Sequence, residues 1–319
     1  MQNNSGRRND SSARPTGVIL MTYGSATTAE NVAAYMEHIY KGKAPEELVE
    51  DFERRYRLVG RSPLIDITKK QAELLQALLN RDGMIGHRYI VRAGMLHSAP
   101  FIDDVVSELK DAGVERLKGI ILSPQFSSFI MDGYRSVLMR AAERYGFAKE
   151  EVSVAGPWAT ERHFIQLLAT RVSESLAKLE AKYKRKIPVL FTTHSLPKRV
   201  VEKDPSYLNE LQATISAILT ELKEPALEWY ACYQSAGHTP EEWLKPDLAD
   251  VLAELQKKKT PAVLIAPIQF LADHLEILYD LGIAAKEQCD ECAIAYHRIE
   301  LPNTNPLFIE ALAAISSFS

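Results

Sequence analysis

Two short segments carry the side chains best suited to chemistry. The first is Thr192-Thr193-His194-Ser195-Leu196-Pro197, which follows an apolar run. An imidazole at such a strand end titrates near neutral pH, so it can accept a proton or bind a metal. A histidine hydrogen-bonded in a loop for structure alone is the plainer explanation, and position is what argues against it. The second is Asp273-His274-Leu275-Glu276-Ile277-Leu278-Tyr279-Asp280. Helical spacing predicts that Asp273, Glu276 and Asp280 share one face, with His274 one step off it. A solvated acidic face explains the acids alone. Beside a strand end, however, a carboxylate and a histidine on opposing loops suit a divalent first-row ion such as Fe²⁺.

Other candidates are weaker. Cys289 and Cys292 form a Cys-x-x-Cys pair, but the chain has only 3 cysteines. That is too few for a four-cysteine cluster or zinc site, and reduced surface or loop thiols are the expectation. Tyr23, Phe126 and Phe129 follow apolar runs and can line a slot for a planar ligand. No Gly-x-Gly-x-x-Gly follows the first run, and no Walker loop, Gly-x-Ser-x-Gly elbow or His-Glu-x-x-His helix is present.

The elements that must position these residues alternate. Apolar runs at 17–24, 88–94, 119–124 and 152–155 are separated by helix-period segments at 27–40, 46–57, 68–80, 100–112 and 132–145. After a long helical stretch at 161–184 the pattern repeats, with runs at 188–193, 228–232 and 261–267. Helices are expected at 205–222, 247–257, 272–281 and 306–316. Ile121-Leu122-Ser123-Pro124-Gln125-Phe126 echoes Leu264-Ile265-Ala266-Pro267-Ile268-Gln269-Phe270. This predicts an α/β protein of two similar Rossmann-like domains, with parallel sheets flanked by helices and a cleft between them. The expected boundaries are a disordered tail at 1–16, one domain at 17–160 and a second at 161–319, the last helix packing across both. The 319 residues carry a formal charge of −4 and are 46% hydrophobic and 25% charged. Such a chain offers no global basic field for nucleic acid and no membrane-spanning run. The scarcity of cysteine points to a reducing cytoplasm.

The motifs Met21-Thr22-Tyr23-Gly24, Gly60-Arg61-Ser62-Pro63-Leu64, Gly94-Met95, Ser123-Pro124-Gln125-Phe126-Ser127, Thr193-His194-Ser195-Leu196-Pro197, Tyr233-Gln234-Ser235 and Asp273-His274-Leu275-Glu276-x-Leu278-Tyr279-Asp280 occur in this order. With them the chain resembles the ferrochelatases, the porphyrin-metallating enzymes of haem synthesis, over essentially everything after Thr16. The resemblance implies that His194 and Glu276 form the essential catalytic and metal-binding pair at the macrocycle's centre. It places Tyr23 on the other face of the porphyrin, where it assists metal delivery. Lys41, Arg61, Ser127, Ser128 and Gln234 are the further porphyrin-binding candidates. Asp280 remains of an outer metal site that Ala284 weakens, since many members carry a second carboxylate there. No permanently bound cofactor and no [2Fe–2S] cluster are expected; Fe²⁺ is a substrate.

The wording around Glu276 and the Lys41-Gly42-Lys43 segment look like the short soluble branch that uses coproporphyrin III, whose four propionates need cationic or hydroxyl partners. The expected product is coprohaem, made by a cytoplasmic monomer that inserts into no membrane and binds no nucleic acid. The rival readings are a protoporphyrin IX ferrochelatase, a cobalt or nickel tetrapyrrole chelatase, and a non-catalytic tetrapyrrole carrier. The carrier is least favoured, because it has no use for the His194 base.

Overall fold

The computed structural model describes residues 15–81, 88–237 and 239–317. Nearly all of the expected tail, residues 1–14, lies outside them. The first half runs β1 (Thr16–Thr22), α1 (Val32–Tyr40), α2 (Glu46–Val59), α3 (Leu64–Arg81), β2 (Tyr89–Met95), α4 (Ile102–Asp111), β3 (Arg116–Ile121), α5 (Ser128–Arg144) and β4 (Val152–Val154). A long helix, α6 (Arg162–Tyr183), leads into β5 (Val189–His194), α7 (Lys198–Lys203), α8 (Ser206–Leu222), β6 (Trp229–Gln234), α9 (Leu248–Lys257) and β7 (Ala262–Pro267). A π-helix (Ile277–Ala284), α10 (Ala285–Glu291), β8 (Ala295–Arg298) and α11 (Pro306–Ile315) complete it.

The two four-stranded sheets have the same plan, β2-β1-β3-β4 and β6-β5-β7-β8. Every pairing within them is parallel. Parallel strands joined by helical crossovers are covered on both faces, which is why they read as continuous apolar runs. In β1, Val18, Ile19, Leu20 and Met21 are all 0% exposed. Their alternation still assigns sides: Val18 and Leu20 face one apolar cluster, Ile19 and Met21 another. Gly119 is required by close packing, because a Cβ there would lie 2.6 Å from Leu138 on α5 and 2.7 Å from Met21. β8 was not expected, for Ala-Tyr-His-Arg has no apolar run; among the described residues it pairs with β7 at the sheet's edge.

The halves share one interior. A single cluster runs from Val18 and Leu20 through Phe164, Leu168 and Val172 of α6 to Val189, Phe191, Phe308 and Leu312. Helix α11 packs against both α3 and α6. Its start is set by Pro306 at the first turn and by Asn305, whose side chain accepts the Leu307 N–H at 2.9 Å. Polar groups cross the same boundary. The buried Gln125 amide donates to Thr214 Oγ1 at 3.2 Å and to the Ile268 carbonyl at 3.1 Å. Gln71 donates to the Asn303 carbonyl at 2.7 Å.

A further crossing bond joins Ser128, at the start of α5, to Asp204 at 2.8 Å. Asp204 also accepts from the Ser206 N–H and hydroxyl. These donors, led by the two serine side chains, hold the Asp204 carboxyl down at about 2. A depressed folded pKa means that this contribution is complete above the ordinary carboxylate value and disappears as pH falls from about 4 toward 2. Asp204→Asn should therefore lower the urea midpoint at pH 6, and the gap from the parent should close below pH ~4. A gap unchanged between pH 6 and pH 3 would show that the charge is irrelevant there.

Candidate active site

His194 is the last residue of β5, and its backbone is fixed twice. Its N–H donates to Gln269 Oε1 at 2.8 Å, and its carbonyl accepts the Tyr207 hydroxyl at 2.7 Å. The ring is fixed as well. Nδ1 lies 2.5 Å from the Ser195 carbonyl. A carbonyl only accepts, so Nδ1 carries the proton and Nε2 of the neutral ring carries the lone pair. That lone pair faces Glu276: Nε2 and Oε2 are 3.5 Å apart. Glu276 Oε2 is buried with no hydrogen-bond partner. Two acceptors thus face each other across a gap that a proton or a cation would bridge.

Gln234 belongs to the same site. It is the register partner of His194 on β6, and paired residues of parallel strands point to the same side. It is 6% exposed, yet neither its Oε1 nor its Nε2 has a partner. Buried amides are normally satisfied, so this one marks a polar surface that a ligand completes.

Glu276 enters differently from expectation. The acidic face over 272–281 does not form, because the segment is not helical from its start. Asp273 precedes the helix and is tied to Asn303, which donates through Nδ2 to the carboxylate at 2.8 Å and accepts the Asp273 N–H at 2.9 Å. His274 turns away, with Nδ1 2.9 Å from the Ala272 carbonyl. Helical backbone begins at Leu275 and from Ile277 winds as a π-helix, a form uncommon outside functional sites.

The π-helix is held against α2 of the other half. The Arg55 guanidinium lies 5.0 Å from the centre of the Tyr279 ring and 3.4 Å from Asp280 Oδ1, and it also pairs with Asp51 at 2.7 Å. Asp280 accepts a hydrogen bond from Ser235, which takes a left-handed φ of 55°. Burial pushes the Asp280 carboxyl above its ordinary value; Glu276 reinforces the rise, while Ser235, Arg55 and His194 oppose it. Both its oxygens are engaged, and the next helical position on that side is Ala284. Among the described residues no three His, Cys, Asp or Glu side chains gather as a metal-binding group, so His194 and Glu276 stand as a pair.

Tyr23 follows β1 at the carboxyl edge of the first sheet and is 45% exposed. Burial of its hydroxyl end, then the charge of Glu276, then Tyr40, raise its pKa. The charge of Glu276 thus reaches Tyr23. Its ring lies 4.4 Å from that of His97. Burial, with help from His38 and Lys41, lowers the His97 imidazole to about 4.

The rim expectations fare less well. Arg61 is ion-paired with its neighbour Asp66 at 2.5 Å. Ser127 is 3% exposed, and Ser128 is committed to Asp204. Lys41 caps α1 with a left-handed φ of 52° and stays exposed beside Lys43. Residues that sequence reasoning missed are Arg55, Gln269, Tyr207, His38 and His97. Only Gln269 carried a signal, its place in Pro267-Ile268-Gln269-Phe270, the echo of Ser123-Pro124-Gln125-Phe126. Cys232 and Cys289 are packed in one apolar cluster, where burial pushes both thiols up to about 12. They are inert packing groups.

A coproporphyrin III ferrochelatase from Anoxybacillus flavithermus is 36% identical over 95% of this chain and 96% of that protein. A ferrochelatase from Herpetosiphon aurantiacus is 36% identical over 94% of this chain and 97% of that protein. Among solved structures, SirB from Bacillus subtilis, determined with Fe³⁺, superposes with a TM-score of 0.57 at 12% identity, covering 95% of this chain and 94% of that one. That likeness concerns the fold alone. The family model described as Ferrochelatase matches residues 15–317, both sheets and the whole cleft included, and on that match this chain belongs to the ferrochelatase family of metal chelatases.

Proposed function

We propose that this enzyme inserts Fe²⁺ into coproporphyrin III, and that His194 and Glu276 carry the reaction. The observation that supports this most is His194 Nε2 facing the otherwise unpartnered Glu276 Oε2 at 3.5 Å. Metallation exchanges two pyrrole protons for one divalent cation. The site therefore needs basic atoms that can take protons and can also hold the incoming metal before it is delivered. A neutral imidazole with its lone pair fixed outward, facing a carboxylate, meets both needs. Gln234, beside His194, supplies a donor and an acceptor to the same space without adding charge. Tyr23 faces the pair from the opposite wall, so a flat ligand between them would be contacted on both sides. The reaction requires no resident cofactor, and the site is built by one chain.

The substrate assignment draws on the Anoxybacillus relative's name and on the rim. Lys41 is an exposed cation whose charge reaches His97 beside Tyr23, and Lys43, exposed and only loosely paired with Glu46 at 4.0 Å, adds to it, which favours the porphyrin with four propionates over the one with two. No described helix is long and apolar enough to cross a membrane, and a tetra-anionic porphyrin meets such an enzyme in water, as in a cytoplasm. Each exposed charge contact contributes up to ~1 kcal/mol, so two together give a selectivity of up to about thirtyfold. The test is kcat/KM for coproporphyrin III and protoporphyrin IX under anaerobic conditions with matched detergent. Coproporphyrin should win by about tenfold; equal or better efficiency on protoporphyrin IX would overturn the substrate and leave the chelatase assignment standing.

A further inference from the structure

Outside the His194–Glu276 pair, a second pair of potential metal-ligand atoms meets at short distance, and both are imidazole nitrogens. His38, in the last turn of α1, and His97, two residues beyond β2, place their Nδ1 atoms 3.2 Å apart. They are 59 residues apart in sequence, so the fold brings them together. Each ring is held from behind. His38 stacks on Phe101 with centroids 5.1 Å apart. His97 packs on Tyr23, and its backbone N–H donates to the Tyr23 carbonyl at 2.9 Å.

We propose that His38 and His97 form a two-imidazole docking site for a borderline divalent cation on the Tyr23 side of the cleft. The spacing fits. Imidazole nitrogens bind zinc-like ions at about 2.0–2.1 Å, so two of them on one ion stand roughly 2.8–3.4 Å apart between cis and tetrahedral geometry. In the metal-free protein a single proton lies between the two nitrogens. A cation takes its place when that ring moves its proton from Nδ1 to Nε2, which leaves both imidazoles neutral and both Nδ1 lone pairs free. Two protein ligands leave the remaining positions to water, and Lys41 nearby opposes tight binding. Both features describe a site that loads and unloads rather than one that stores.

The test uses the full chain without porphyrin, titrated anaerobically with Co²⁺ and followed by visible absorption and calorimetry. The parent should bind two equivalents. His38→Gln and His97→Gln should each lose one, and His194→Ala should lose the other. Thermal midpoints verify that the variants fold, and the exposed His38 makes its variant the safer of the two. Gln variants that bind Co²⁺ with the parent's stoichiometry and affinity would reduce the contact to an imidazole–imidazole hydrogen bond. A parent that binds a single equivalent, lost in His194→Ala, would overturn the proposal equally. Neither arm depends on which porphyrin the enzyme uses.

Discussion

His194→Ala should lower metallation by about 10²–10⁴-fold, the range typical of a lost general base, while the protein stays folded. The imidazole is not what holds the loop. Its backbone partners, Gln269 Oε1 and the Tyr207 hydroxyl, bond to the N–H and carbonyl of residue 194, which alanine retains. Among the described residues the ring loses one hydrogen bond, from Nδ1 to the Ser195 carbonyl, worth about 1 kcal/mol, besides its contact with Glu276. Metallation is read by visible absorption under anaerobic conditions, and stability by the urea midpoint. Turnover near the parent's would remove His194 from the reaction; a collapsed midpoint would make it a structural residue.

Glu276→Gln should be as severe for a different reason. The substitution keeps the shape of the side chain but replaces an acceptor by an amide. Across the 3.5 Å gap, the new NH₂ donates to the His194 Nε2 lone pair and occupies the atom that must receive a proton or a metal. Loss of the charge and capture of the lone pair act together, so a fall of at least ~10² is expected, with porphyrin binding retained. A second signature is independent of turnover. Glu276 is one cause of the raised pKa of Tyr23, so removing its charge should bring the Tyr23 titration to lower pH in a difference ultraviolet spectrum against Tyr23→Phe. Normal turnover, or an unmoved Tyr23, would separate the two walls of the cleft.

The repeated strand–helix plan was legible because parallel strands buried on both faces must be apolar throughout, and eight-residue segments such as 17–24 announce themselves. His194 was legible for a related reason, since a polar residue that ends such a run lies at the sheet's carboxyl edge. The π-helix was not. Leu275, Ile277, Leu278, Leu281 and Ala285 supply apolar residues closely enough to satisfy either winding, and nothing local reports that Asp273 will be captured by Asn303. The state of the rim groups was not legible either, because a charge or hydroxyl is available to a ligand only if no protein group claims it. The claims of Asp66 on Arg61 and Asp204 on Ser128 depend on local geometry and on tertiary packing. The His38–His97 contact is of the same kind.

The interior shared by both halves has a mechanical consequence. Two springs pressed together divide the deformation according to their compliance, and the softer one bends. A cleft floored by a single close-packed interior, and braced across its boundary by Gln125, Gln71 and Ser128, is the stiff member of the pair. A porphyrin ring, which can ruffle or saddle, is the compliant one. In the proposed reaction the displacement therefore falls on the macrocycle, tilting its pyrrole lone pairs out of plane, and the protein acts as an anvil.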